Sequence, residues 1–257
     1  MTPNTIINGN SADILKTFED DSIDLTVTSP PYDNLRDYNG YTFDFETIAD
    51  NLYRVTKPGG VVVWIVGDST VNGSETLTSF KQALYFQKIG FNVHDTMIYQ
   101  KNNFSNPSSN RYHQIFEYMF VFSKGKPKTF NPIKDRKNIY SQGTFGVNTS
   151  RKKDGEFSFG TRKQNTEYGM RYNIWKGNTA GQENMCKHLQ HPAMFPLWLA
   201  KDHILSWSNK GDLVLDPFMG SGTTAVACIQ TGRDYIGIEV SPEYVDLSLE
   251  RIRTNSI

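Results

Sequence analysis

Leu213-Val214-Leu215-Asp216-Pro217-Phe218-Met219-Gly220-Ser221-Gly222-Thr223-Thr224 begins as an apolar run and breaks at an acid and a proline. It then passes two glycines and continues into Ala225-Val226-Ala227-Cys228. The pattern predicts strand, glycine turn and helix N-terminus. Glycines let backbone N–H groups approach a ligand closely, and a helix start favours a carboxylate or phosphate. Downstream, Asp234-Tyr235-Ile236-Gly237-Ile238-Glu239 reads as a second strand ending in an acid. Glu239 follows Asp216 by 23 residues, close to the spacing of roughly 20 at which an acid meets ribose hydroxyls in nucleotide-binding βαβ units. Alone, the stretch fits a plain βα connection equally well.

Working outward, the preceding segment His191-Pro192-Ala193-Met194-Phe195-Pro196 opens an apolar helix through Leu197, Leu199, Ile204 and Leu205. After Glu239, Ser241 and Pro242 suit the N-cap and first position of a last helix. At the other end of the chain, residues 5–10 predict a short strand and its exit, and Ser11 caps a helix with Ile14, Leu15 and Phe18 on one face. Residues 22–27 form the next strand, delivering Ser29-Pro30-Pro31-Tyr32 at its C-terminal end. A helix over 45–55 stops at Lys57-Pro58-Gly59-Gly60, and Val61 to Val66 suits a central parallel strand. A third helix spans 77–88, and strands at 93–100 and 115–122, joined without a helix, pair antiparallel at the edge of the sheet. From Gly125 to Lys187 no period is sustained. The fold class is α/β, a Rossmann-like doubly wound sheet, mostly parallel with an antiparallel edge.

Charge is balanced overall, with 27 basic and 27 acidic residues. Residues 124–187 nevertheless hold 14 Lys/Arg against 5 Asp/Glu, a net of +9, leaving −9 on the rest. A basic middle on an acidic scaffold suits a polyanion better than a membrane. No apolar stretch nears the ~20 residues that span a bilayer, and the N-terminus lacks a signal-peptide pattern. Cys186 and Cys228 have neither metal-ligand spacing nor a convincing disulfide case, so a reducing cytoplasm is expected and no metal site.

Asp216-Pro217-Phe218-Met219-Gly220-Ser221-Gly222-Thr223-Thr224, with Thr28-Ser29-Pro30-Pro31-Tyr32 upstream, resembles the amino-methylating DNA methyltransferases. The order of the two motifs is that of the permuted group, in which the catalytic motif precedes the S-adenosylmethionine motif. The resemblance covers nearly the whole chain except its middle. It implies a catalytic half at 1–124, a small irregular target-recognition insertion at 125–187 and a cofactor-binding half of the same domain at 188–257.

The resemblance also implies roles. Pro30 and Pro31 stiffen the backbone and supply no N–H, so this turn presents acceptors only. Ser29 and the Pro30 carbonyl would accept hydrogen bonds from the target amino group, and Tyr32 would stack on a base flipped out of double-stranded DNA. In the family, Ser in the place of Ser29 accompanies N4-cytosine methylation, and Asp or Asn accompanies N6-adenine. The expectation is N4-cytosine, with N6-adenine the alternative. Asp216 and Phe218 would line the cofactor pocket, while Gly220, Ser221 and Gly222 would wrap the methionine portion. Thr223 and Thr224 would hold its carboxylate and Glu239 the ribose. His191 would close over the methionine end, against a helix-capping or packed histidine. Phe195 is a core aromatic that also touches the pocket. Asn10 would approach the adenine, against an ordinary turn asparagine. The full G-x-G-x-x-G pattern of NAD enzymes is absent.

Arg151, Lys152, Lys153, Arg162, Lys163 and Arg171, interleaved with Phe157, Phe159, Tyr168, Tyr172 and Trp175, would contact DNA. Arg36 would shape the loop beside the flipped base or pair with Asp37. The resemblance implies a setting beside a cognate restriction endonuclease or as an orphan bacterial or phage enzyme, and many relatives form homodimers. RNA or a protein amide is the competing substrate, and a non-enzymatic nucleic-acid-binding module the competing class.

Overall fold

Val61 to Val66 is buried throughout, which requires layers packed on both faces of its strand. In the computed structural model, which describes residues 1–31, 43–104, 107–139, 147–161, 166–182 and 196–255, that run lies inside an eight-stranded sheet. In chain order its strands are β1 (Thr5–Asn8), β2 (Ile23–Thr28), β3 (Thr56–Val66), β4 (Asn92–Lys101), β5 (Phe116–Ser123), β6 (Ile174–Gly177), β7 (Leu213–Asp216) and β8 (Asp234–Glu239). Across the sheet the order is β1-β8-β7-β2-β3-β5-β4-β6. Every pairing is parallel except those of β5, which runs against both β3 and β4.

The helices are α1 (Ser11–Ile14), α2 (Phe45–Val55), α3 (Thr78–Lys88), α4 (Leu197–Trp207), α5 (Thr223–Thr231) and α6 (Pro242–Asn255). Ile48, Leu52 and Val55 of α2 and Phe86 of α3 cluster with Val62, Trp64, Val66, Phe120 and Phe122 of the sheet. Trp64 satisfies its indole N–H there by donating to Gln82 Oε1 at 2.8 Å, as a buried tryptophan requires. Val61, Val63 and Ile65 alternate to the other face, where α4 packs on β2 and α5.

Three details differ from the sequence reading. The antiparallel strand β5 is third from its edge, and the outermost position belongs to β6, drawn from the stretch without visible periodicity. Four residues are too few to show a period, yet Trp175 in β6 is buried and stacks on His203 of α4 at 4.5 Å. Trp175 is therefore a core residue, unlike the exposed Phe157, Phe159 and Tyr172. The third detail is β3, which begins at Thr56 because α2 ends there abruptly: Thr56 Oγ1 donates to the Leu52 carbonyl at 2.6 Å, and Pro58 cannot continue a helix.

The chain divides into two compact units, Met1–Asn131 with Asn173–Ile257, and Pro132–Tyr172. Within the smaller unit, Val147–Arg151 and Phe157–Thr161 pair antiparallel, as do Arg136–Lys137 and Tyr168–Gly169. Arg171 Nε donates to Asp135 Oδ2 at 2.9 Å, and Arg136 lies over the Tyr172 ring at 4.7 Å. Among the described residues no helix is long and apolar enough to cross a membrane.

Candidate active site

Parallel strands end their carboxyl termini at one edge, so β1, β8, β7 and β2 deliver Asn10, Glu239, Asp216 and Ser29 to neighbouring positions. The β7 and β2 pair is in register at Val214 with Leu25 and Leu215 with Thr26. Two residues beyond Thr26 on β2 and one beyond Leu215 on β7, the side chains meet. Thr28 Oγ1 donates to Asp216 Oδ1 at 2.7 Å, and Thr224 Oγ1, from the first turn of α5, donates to Asp216 Oδ2 at 2.6 Å. The Phe218 N–H adds a third bond to Oδ1 at 3.0 Å. Thr28 and Thr224 are fully buried and Asp216 is 4% exposed.

This clasp ties the Ser29-Pro30-Pro31 exit to the glycine turn. Burial pushes the Asp216 carboxyl up to about 6, against the two threonine hydroxyls and the Phe218 N–H, which pull it down. Oδ1 accepts two of these bonds and Oδ2 one, so Asp216 joins the end of β2 to the start of α5.

The turn itself is shaped by glycines. Gly220 and Gly222 have φ of +51° and +78°, a region where side chains are strained. A Cβ on Gly222 would stand 2.9 Å from Ser248 Cβ in α6. Gly222→Ala is accordingly expected to cost about 2–4 kcal/mol. Gly211→Ala, at φ +83° with open space around it, is expected to cost only about 1–2 kcal/mol. Urea midpoints of the two variants measure the difference, and equal shifts would show that contact with α6 is irrelevant.

Glu239 is buried, and both its oxygens accept backbone N–H groups, from Gly220 at 2.8 Å and Ser241 at 2.9 Å. Burial raises its pKa, and the N–H groups of Ser241, Gly220 and Val240 oppose that. Each carboxylate oxygen still has a lone pair to offer. Asn10 accepts from the Ala12 N–H at 2.8 Å and is the N-cap of α1, the capping behaviour of a turn asparagine. Phe218 is half-buried, with its ring edge-on to Phe43 at 5.5 Å and to Trp64 at 6.1 Å. It is the outer member of the aromatic core.

Ser221, Thr223 and Thr224 are buried at the N-terminus of α5. Ser29 and Pro31 are partly exposed and Pro30 is buried. Arg151, Lys152 and Lys153 are exposed at the tip of their β-ribbon, whereas Arg171 is half-buried against Asp135. Tyr32, Arg36, Arg162, Lys163, His191 and Phe195 lie outside the described residues. Two residues had no role assigned from the sequence: Thr28, quoted as the first residue of its motif, and Arg251, which lies outside both motifs. A helical period through Ser248 and Arg251, both buried, would have marked Arg251 as facing inward.

A family model described as a DNA methylase, N6_N4_Mtase, matches residues 23–250. The orphan methyltransferase M.BamHII of Bacillus amyloliquefaciens is 59% identical over 239 residues, covering 91% of this chain and 90% of that protein. DNA adenine methyltransferase YhdJ of Escherichia coli K12 is 26% identical, covering 96% and 82%. Among solved structures, PvuII DNA methyltransferase (cytosine-N4-specific) has a TM-score of 0.69 at 21% identity, covering 98% of this chain and 86% of that one. The M1.HpyAVI–SAM complex gives 0.62 at 24%, covering 96% and 98%. At these identities the structural likeness speaks for the fold. With a family model spanning most of the chain and a relative of high identity over nearly all of it, this protein belongs to the N6/N4 DNA methylase family.

Proposed function

We propose that this DNA methyltransferase transfers a methyl group from S-adenosylmethionine to the exocyclic N4 of a cytosine flipped out of double-stranded DNA. The observation that carries the reading is the Thr28–Asp216–Thr224 clasp, which holds Ser29-Pro30-Pro31 beside the glycine turn. The residues present fit the cofactor. The turn has no Cβ at Gly220 or Gly222, α5 opens its N-terminus there, and Glu239 keeps lone pairs for ribose hydroxyls.

S-adenosylmethionine, when bound, supplies an electrophilic methyl group. The chain's own part is to hold the amine. An exocyclic amino nitrogen conjugated with its ring is a poor nucleophile, so rate comes from orientation and water exclusion more than from a strong base. Ser29 Oγ and the Pro30 carbonyl accept the two N–H groups, which turns the nitrogen lone pair toward the donor. Two prolines keep that carbonyl from swinging.

Cytosine is favoured by serine at position 29, and adenine N6 is the second reading. One similar protein is named for adenine and one similar structure for cytosine, so similarity does not choose between the bases. An orphan setting is favoured by the 59% relative, which carries that description.

The deciding experiment labels DNA with tritiated S-adenosylmethionine, digests it to nucleosides and identifies the labelled base. Label in N4-methylcytosine is the expected result. Label in N6-methyladenine would keep the site and replace the base. Cofactor binding without labelled DNA would move the substrate to RNA or protein.

A further inference from the structure

Arg251 of α6 is 4% exposed. Its Nη1 lies 2.8 Å from Thr223 Oγ1, 3.1 Å from Ser221 Oγ and 3.2 Å from the Ser221 carbonyl oxygen. A guanidinium only donates, so both hydroxyl oxygens accept from it. Each hydroxyl retains one O–H proton. Among the described residues, neither proton has an acceptor.

Two hydroxyls that are 3% and 4% exposed, each with a proton to give, are costly to leave so. They stand at the N-terminus of the nine-residue helix α5, where unpaired backbone N–H groups add positive partial charge. Arg251 adds a full positive charge at the same helix end, where the macrodipole opposes a cation. An anion at this helix end accepts from both hydroxyls and meets the partial positive charge of α5. Glu239 serves the Gly220 side of the turn and Asp216 the Thr224 side, and neither bonds these hydroxyls.

We infer that Arg251 is a positioning residue for the carboxylate of the cofactor's methionine portion. It occupies hydroxyl lone pairs on Ser221 and Thr223 and so leaves their protons for the carboxylate. The inference rests on the reading of the glycine turn as an S-adenosylmethionine site. It adds a residue from the last helix, outside both motifs.

The test compares two ligands that share the thioadenosine portion: S-adenosylhomocysteine, which has the amino-acid carboxylate, and 5′-methylthioadenosine, which lacks it. Arg251→Gln is expected to raise the Kd for S-adenosylhomocysteine about tenfold or more and to move that for methylthioadenosine by less than about twofold. Arg251→Lys is expected to recover part of the loss. Equal weakening of both ligands, or no change in either, would reduce Arg251 to packing α6 and overturn the inference. Should Arg251→Gln fail to fold, Thr223→Val carries the test. It removes one proton donor and is expected to weaken only the carboxylate-bearing ligand, by about fivefold; unchanged binding would again overturn the inference. Wild-type protein that binds neither ligand would instead remove the cofactor reading beneath it.

Discussion

Replacing Ser29 by alanine is expected to lower the single-turnover methyl-transfer rate about 10²–10³-fold, the usual cost of one preorganised hydrogen-bonding group at a reacting centre. Ser29 is partly exposed at the end of β2, immediately after the fully buried Thr28. Deleting its hydroxyl therefore leaves the clasp with Asp216 intact, and affinity for S-adenosylhomocysteine is expected to stay within about twofold. Measuring rate and cofactor affinity on the same preparation separates chemistry from folding. A rate within tenfold of wild type would remove Ser29 from the machinery and leave the Pro30 carbonyl to hold the amine alone. A parallel collapse of cofactor affinity would mean that the β2 exit and the glycine turn had come apart.

Asp216→Asn is expected to show the second large effect, in stability rather than rate. Burial raises the folded-state pKa of Asp216 from the ordinary 3.8 to about 6. A carboxyl with a raised folded pKa contributes stability that is complete below about 3.8 and lost as pH rises through about 6. Above that window the native protein carries a buried carboxylate that the unfolded chain holds more cheaply. The shift corresponds to about 3 kcal/mol. Asparagine does not titrate, so from pH 4 to pH 7 its stability relative to wild type should improve by about that amount. At roughly 2–4 °C per kcal/mol, this is on the order of 6–12 °C in relative melting temperature. Melting curves of both proteins across the window provide the measurement. A difference independent of pH would mean that Asp216 titrates normally. Because Glu239 is common to both proteins, its own raised pKa largely cancels in the comparison.

The central fold was legible because its strands are long or strongly marked. Val61 to Val66 is a continuous apolar run, and Leu213 to Asp216 stops at an acid and proline. The antiparallel pair β4 and β5 was legible from two strands with no helix between them. The β6 edge was not, since four residues carry no period and Trp175 stood among charges that resembled a surface. At the site, the glycine turn announced itself through residues that only a tight backbone needs. The clasp did not, because Thr28 and Asp216 are 188 positions apart, and neither motif by itself says that the two side chains bond each other. Arg251 was hidden for a related reason: a charged residue in a final helix reads as solvated until burial is known. Asn10 caps α1 and Phe218 packs against Phe43, structural roles that the sequence alone did not separate from ligand contact.

The order of strands in the sheet has a consequence for the chain during synthesis. β2 has β3 on one side early, but its other partner, β7, begins only at Leu213, 185 residues after Thr28. At about 5–20 residues per second, that edge of β2 stays open for on the order of ten to forty seconds after translation. β1 waits still longer, since its partner β8 begins at Asp234. The β2 edge thus waits unpaired on that side through most of synthesis. Thr28 and Asp216, which bond each other across the β2 and β7 pair, can meet only after it forms.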